Sequence, residues 1–274
     1  IADNTPGIFS EHGRELKTLR LPDLFPVTDR IHIVKHGRGR AAYLPNILNG
    51  YIARLEKCDY TGSDAVEALL KEYAEQEPPV ELLNSHDMPR RDTLMRVFYR
   101  GTTTLISLLR TTTSEGKEEE ETTVQLRKKQ HIFDLRTNNY LGCGDSLEIR
   151  LDLHPKLLAL LPARPLGMQI TGQQKAVSGG TDFVIEGRVD FGKASGGSIS
   201  SVGQAIHLRV YSPGGKELEW FRQNHLFDGR KFQVVLPVSY SAGPGRYRVV
   251  AEHVITGMKA EVSFDVVSES DQGR

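Results

Sequence analysis

The chain has 274 residues, enough for two domains or for three small ones. Hydrophobic residues make up 38% and charged residues 26%, an ordinary globular composition that excludes a disordered or fibrous chain. Lys plus Arg and Asp plus Glu both number 35, so the formal net charge is zero. With no basic excess or stripe to meet phosphates, nucleic acid is not an expected partner.

No stretch approaches the roughly 20 apolar residues of a membrane-crossing helix, so no membrane span is expected. The opening Ile1-Ala2-Asp3 reads as the end of a strand, which implies further sequence upstream. Residues 1–79 have mixed α/β character. R-I-H-I-V-K (30–35) and A-A-Y-L (41–44) are strand candidates, joined by the turn His36-Gly37-Arg38-Gly39-Arg40 into a hairpin. Ala65, Val66, Leu69, Leu70 and Tyr73 then recur at helical spacing behind Ser63, and Pro78-Pro79 closes the segment.

From Val80 the pattern becomes short, β-branched strands. Residues 93–100, 102–110, 122–126, 131–135, 147–151 and 156–161 alternate with turn chemistry such as Asn138-Asn139, while 115–121 (E-G-K-E-E-E-E) reads as a charged hairpin tip. This spacing indicates a first antiparallel β-sandwich over 80–164. Residues 163–167 (A-R-P-L-G) read as a linker. A second set of strands follows at 168–171, 182–191, 205–211, 231–238, 246–253 and 259–267. Ile206, Leu208 and Val210 alternate clearly, as do Val262, Phe264 and Val266. About seven strands in roughly 100 residues, with tight turns at Ser212-Pro213-Gly214-Gly215 and Ala242-Gly243-Pro244-Gly245, indicate an immunoglobulin-like sandwich over 165–274. The fold class is thus mainly β, an α/β segment followed by two antiparallel sandwiches.

Candidate chemistry is sparse. Ser85-His86-Asp87 holds the residue types of a hydrolase triad, but neighbouring side chains in an extended segment diverge, and loop polarity explains them. Gly37-Arg38-Gly39-Arg40 lacks the following helix that a phosphate cradle needs. The nine histidines show no metal-ligand spacing, His32 and His36 coming nearest, and Glu118 to Glu121 form a solvated run rather than a facing acid/base pair. No catalytic residue, metal or other cofactor is expected. Cys58 and Cys143 are the only cysteines and are expected as unpaired buried thiols. One feature suits a ligand: the single tryptophan, Trp220, with Phe221 beside it, can stack on a sugar face. The competing expectation, favoured on general grounds, is that Trp220 packs in the core or between domains.

Several segments resemble the C-terminal region of large bacterial proteins of the β-galactosidase trimerisation-domain type, relatives of the family 42 glycoside hydrolases. They are IADNTPGIFSEHGRELKTLRLPDL (1–24), HGRGRAAYL (36–44), Asn49-Gly50-Tyr51, HIFDLRTNNYLG (131–142), LLALLP (157–162) and the stretch from Gly214 through Trp220 to Asn224. The interval between Phe25 and His36 is shorter than the family's. The resemblance implies a partial glutamine-amidotransferase-like segment in 1–79 and the two sandwiches after it. In that family the catalytic (β/α)8 barrel and its carboxylates lie upstream. The resemblance therefore implies a non-catalytic accessory portion of a glycoside-hydrolase-like protein, supporting packing and oligomerisation. Its expected partners are the upstream catalytic region or a second copy. Two alternatives stand beside this: a structural or adhesive cell-surface protein built of sandwiches, and a carbohydrate-binding module resting on Trp220. The module type suggests a secreted, periplasmic or cell-surface setting.

Overall fold

The computed structural model describes residues 32–36, 39–43, 53–54, 57, 59–73, 78–110, 120–195 and 198–268. The chain divides into two compact units, Ile1–Pro78 and Pro79–Arg274.

In the first unit, β1 (His32–His36) and β2 (Gly39–Tyr43) form the expected antiparallel hairpin, with Val34 opposite Ala41. The pairing runs closer to the turn than the apolar pattern suggests, leaving only 37–38 between the strands. Helix α1 (Thr61–Tyr73) starts two residues before the expected Ser63. Asp59 is the reason: its carboxylate accepts from the Thr61 N–H at 3.2 Å and hydroxyl at 2.7 Å, satisfying a free donor of the first turn. The same hydroxyl bond holds the Asp59 carboxyl below its usual range. Residues 1–24 and 49–51, which carry part of the family resemblance, lie outside the described residues, as do Cys58 and the Gly37-Arg38 pair.

The second unit is almost wholly β. Its first module contains β3 (Val80–Leu83), β4 (Thr93–Arg100), β5 (Thr103–Arg110), β6 (Glu120–Asp134), β7 (Asn139–Leu151) and β8 (Lys156–Leu161). They make one antiparallel sheet in the order β3-β6-β8-β5-β4, with β7 on β6. The sheet curls around Ile106, Leu108, Val124, Ile132, Leu158 and Leu160. Three expected short strands, 122–126, 131–135 and 147–151, are stretches of the long hairpin β6–β7. The register slips between Gln125 and Gln130, and the exposed Arg127, Lys128 and Lys129 occupy that irregularity. Glu120 and Glu121 belong to β6 rather than to a hairpin tip.

One ionic knot is buried in this module. Arg90 grips Asp92 through two bonds, 2.7 and 3.0 Å, and Arg110 approaches the same carboxylate at 3.6 Å. Burial alone would raise the Asp92 carboxyl; the hydrogen bonds from Arg90 and Thr93 and the charges of Arg90 and Arg110 outweigh it and lower it.

The second module is a two-layer sandwich. One sheet holds β9 (Pro165–Gly172), β11 (Asp182–Phe191) and β14 (Lys231–Pro237). The other holds β10 (Ala176–Ser178), β12 (Gly203–Tyr211), β13 (Gln223–Asp228), β15 (Gly245–His253) and β16 (Lys259–Val267), in the order β10-β16-β15-β12-β13. Among the described strands only β10 runs parallel to its neighbour. Inward residues alternate along each strand, and Phe183 stacks on Phe264 with ring centroids 4.1 Å apart between the sheets. The stretch 163–167, expected as a linker, is instead ordered into the fold. Ala163 is fully buried, and Pro165 opens β9, the strand position where a missing N–H is tolerated.

The two modules meet in an apolar seam. Phe133, Ala159 and Leu161 from the first pack with Val202 and Ile255 from the second, and Leu105, Phe191 and Ile199 border them. Hydrogen bonds to main-chain carbonyls stitch the seam: the Thr102 N–H donates to the Ser201 carbonyl at 2.8 Å, and the Thr103 hydroxyl to the Gly203 carbonyl at 2.8 Å. Gly101 lies at φ +56°, and a Cβ there would sit 1.8 Å from the Ser201 oxygen, so the close approach requires glycine.

Candidate functional site

The far end of the second sandwich is open. The chain leaving β12 turns at Ser212, where the Gly215 N–H donates to the Ser212 carbonyl at 2.9 Å with Gly215 at φ +78°. It then returns through a 3-10 turn, Glu219–Phe221. An Arg222 to Glu217 hydrogen bond of 2.9 Å ties the two limbs of this loop and lowers the Glu217 carboxyl. In such a turn residues three apart share a face. Leu218 and Phe221 accordingly both pack against the core, and Trp220 is turned outward.

Trp220 is 74% exposed, so the expectation that it packs in the core is overturned. The turn brings Trp220 and Phe221 together, ring centroids 6.1 Å apart and inclined at 46°. They stand at the mouth of a groove of about 720 Å³ between the two sheets. Its floor is core: Val210, Leu236, Tyr247 and Phe264. Its rim carries hydrogen-bonding groups from Gln223, Ser239 and Ser241. The Ser239 hydroxyl is already placed, accepting from the Ser241 N–H at 3.2 Å, and the Tyr247 hydroxyl donates to the Gly243 carbonyl at 3.0 Å. An apolar slot with a flat exposed indole and a few fixed polar groups is suited to a ligand with one apolar face and several hydroxyls.

The other sequence candidates are not brought together. Ser85, His86 and Asp87 lie exposed in a turn organised by the Asn84 side chain, which accepts from the His86 and Met88 N–H groups at 2.9 and 3.0 Å. Glu118 lies outside the described residues, and Glu121 sits 3.9 Å from Arg150. Among the described residues no group of three or more His, Cys, Asp or Glu side chains could hold a metal ion. Nor is any helix there long and apolar enough to cross a membrane.

One cluster escaped sequence reasoning. His131 and Cys143 face each other across the β6–β7 hairpin, with Cys143 Sγ 3.8 Å from His131 Nε2. His131 Nδ1 meets the Tyr140 hydroxyl at 2.9 Å, and the Arg164 guanidinium lies 4.1 Å over the Tyr140 ring. Burial, helped by the charges of Arg164 and Lys129, lowers His131, which keeps the imidazole neutral. Cys143 is free and half-buried rather than fully buried. The register of the hairpin was the signal that could have revealed the pairing.

No family model matches the chain, and no curated protein matches it. Solved structures similar to it include a glycosyl hydrolase family 2 member from Bacteroides cellulosilyticus, at 9% identity over 62% of this chain and 23% of that one, with a TM-score of 0.28. A β-glycosidase from Bacteroides vulgatus matches at 12% identity over 67% and 27%, TM-score 0.28. The adhesin InvE of Yersinia pseudotuberculosis matches at 8% identity over 64% and 58%, TM-score 0.29. The chain spans about a quarter of the length of the two glycosidases. Superpositions this loose do not bear on activity.

Proposed function

We propose that this chain is a non-catalytic accessory portion of a larger glycoside-hydrolase-like protein, of the family 42 trimerisation-domain type, and that it supports packing and assembly. The observation that carries the reading is the seam. A shared apolar cluster and main-chain bonds join the two sandwiches into one body, which is what an arm that positions other parts requires. The strand order of the second module, its parallel edge strand and the Tyr247 to Gly243 bond at the entry to β15 support an immunoglobulin-like assignment. The motifs quoted above support the wider family. A secreted or cell-surface setting is part of the same proposal.

The test compares the longer protein that the resemblance implies with the same protein lacking 79–274. Loss of oligomeric state or thermal stability, with hydrolysis of aryl glycosides per catalytic unit retained, is expected. Unchanged assembly and stability would sink the reading, and hydrolysis by the 274-residue chain alone would sink its non-catalytic part.

A second reading is favoured by the exposure of Trp220: the groove binds a carbohydrate, with the indole stacked on a pyranose face. Trp220 is the only tryptophan, so its emission reports the site directly. Titration with soluble β-glucan and galactan oligosaccharides is expected to shift that emission saturably. Affinity electrophoresis should then show retardation that Trp220→Ala abolishes. Retardation that survives the substitution places any sugar site elsewhere.

A further inference from the structure

Among the described residues, the two most exposed large apolar side chains stand at the same groove. Trp220 is one, and Tyr240, 88% exposed, is the other. Tyr240 lies between Ser239 and Ser241, which both line the groove. Trp220 follows β12 of one sheet and Tyr240 follows β14 of the other, so the two rings rise from opposite lips. Tyr240 is exposed but held. A Cβ at Gly180, where φ is +79°, would fall 2.1 Å from its ring, so the ring lies directly against that backbone. The Gly180 N–H donates to the Val238 carbonyl at 2.9 Å, which ties the turn before β11 to the loop bearing Tyr240. A flat ring fixed on one side and wet on the other is pre-organised for stacking.

We infer that the groove takes a neutral polysaccharide chain along its length, with Trp220 and Tyr240 stacked on different sugars of that chain. This rests on the carbohydrate reading above and names its ligand class. A terminal sugar would engage one ring; two rings on opposite lips call for a chain that crosses the groove. Neutrality follows from the lining. The described residues there include no Asp, Glu, Lys, Arg or His, in a chain of which 26% is charged. The loop that carries Trp220 holds Lys216, Glu217, Glu219 and Arg222, whose charges cancel, and Arg222 bonds Glu217 at 2.9 Å. A uronate or sulfate would lose hydration against this surface with no cation to pair with. A peptide fits less well, because the strand edge beside the groove is blunted. Val238 donates to the Thr181 carbonyl and accepts from the Gly180 N–H, so it faces β11, and Pro237 before it faces outward. Proline there lacks the donor that an added strand would use. A sugar chain needs no ladder: it offers C–H faces to the rings and hydroxyls to Gln223, Ser239 and Ser241.

The experiment titrates the full 274-residue chain with neutral β-glucan and galactan oligosaccharides, from disaccharide to hexasaccharide, and reads Trp220 emission. A hexasaccharide is expected to bind about tenfold tighter than the disaccharide, the second stacked ring supplying the gain. Tyr240→Ala should erase that gain and bring the hexasaccharide to the disaccharide's affinity. Tyr240→Phe, which keeps the ring, should retain it, and melting curves confirm that both variants fold. Hexagalacturonate should bind more weakly than the neutral hexasaccharide. Affinity independent of length, or a gain that survives Tyr240→Ala, overturns the inference while leaving the carbohydrate reading standing. Hexagalacturonate binding as tightly as the neutral chain overturns the ligand class. No saturable shift with any of these sugars, or a shift produced instead by a proline-rich peptide, overturns the inference and the carbohydrate reading together.

Discussion

The second sandwich has two ends made by the same strands, and they differ in what finishes them. At one end Val202 and Ile255 reach into the first module, and the turn after β15 docks there, with the Asn138 side chain donating to the Val254 carbonyl at 2.7 Å. That end is closed by apolar contact and by backbone bonds that admit no side chain at Gly101. At the other end the core surfaces in a groove, and the largest side chain of the module points into water. The closed end spends its apolar residues on joining modules; the open end keeps an indole and three polar side chains available. The contrast separates residues whose substitution costs stability from those whose substitution costs recognition.

The largest effect belongs to the closed end. Val202 is 0% exposed in an all-apolar cluster, so Val202→Asp strands a charge with no partner and should cost about 4 kcal/mol or more. Guanidinium unfolding followed by fluorescence and by circular dichroism should show the two modules melting apart, because Trp220 reports only the second. A single coincident transition with unchanged midpoint would mean that the seam contributes little and that the two ends are alike.

Next comes an acid sensitivity confined to the same end. His253 is 0% exposed, its Nε2 3.0 Å from Gln204 Oε1 and its Nδ1 2.8 Å from Thr256 Oγ1; Gln204 in turn donates to the Gly229 carbonyl. Burial lowers it to about 4 from 6.5. The unfolded chain therefore binds a proton between those values that the folded chain does not. Stability is whole above pH 6.5 and falls as pH drops to 4, by about 3 kcal/mol in all. Urea unfolding at pH 7, 5.5 and 4.5 should show this slope, and His253→Gln should flatten it. An equal slope in the variant would assign the acid response to other groups.

How much of this contrast was legible in the sequence follows from range. Alternation at Ile206, Leu208 and Val210 announces a strand because the partner face is local to the module. The residues that close the seam do not: Ile199 and Val202 lie in a Ser- and Gly-rich stretch whose composition says loop, and their burial depends on another module. β13 is hard to read from the sequence because Gln223, Asn224 and His225 give its outer edge the look of a turn. Only the opening of β9 reads as a linker, because Pro165 and Gly167 punctuate it; 168–171 reads as a strand, and it lies within β9. At the open end the motif Trp220-Phe221 was visible, but its orientation was not. Which of two adjacent aromatics faces inward depends on whether the backbone is a strand or a 3-10 turn, and Leu218 decides that only once the turn exists.

The smallest effects test the open end. Tyr247→Phe removes the bond to the Gly243 carbonyl that shapes the groove loop and should cost about 1 kcal/mol, read as a lower denaturation midpoint with unchanged m. Trp220→Ala should move stability by less than about 0.5 kcal/mol, since an indole largely in water contributes little packing to lose. That near-zero value carries the argument. A tryptophan that does nothing for the fold and stands over an apolar groove is placed for contact with something else. If Trp220→Ala instead costs as much as a core truncation, about 3 kcal/mol, the indole packs in solution and the open end is another closed one.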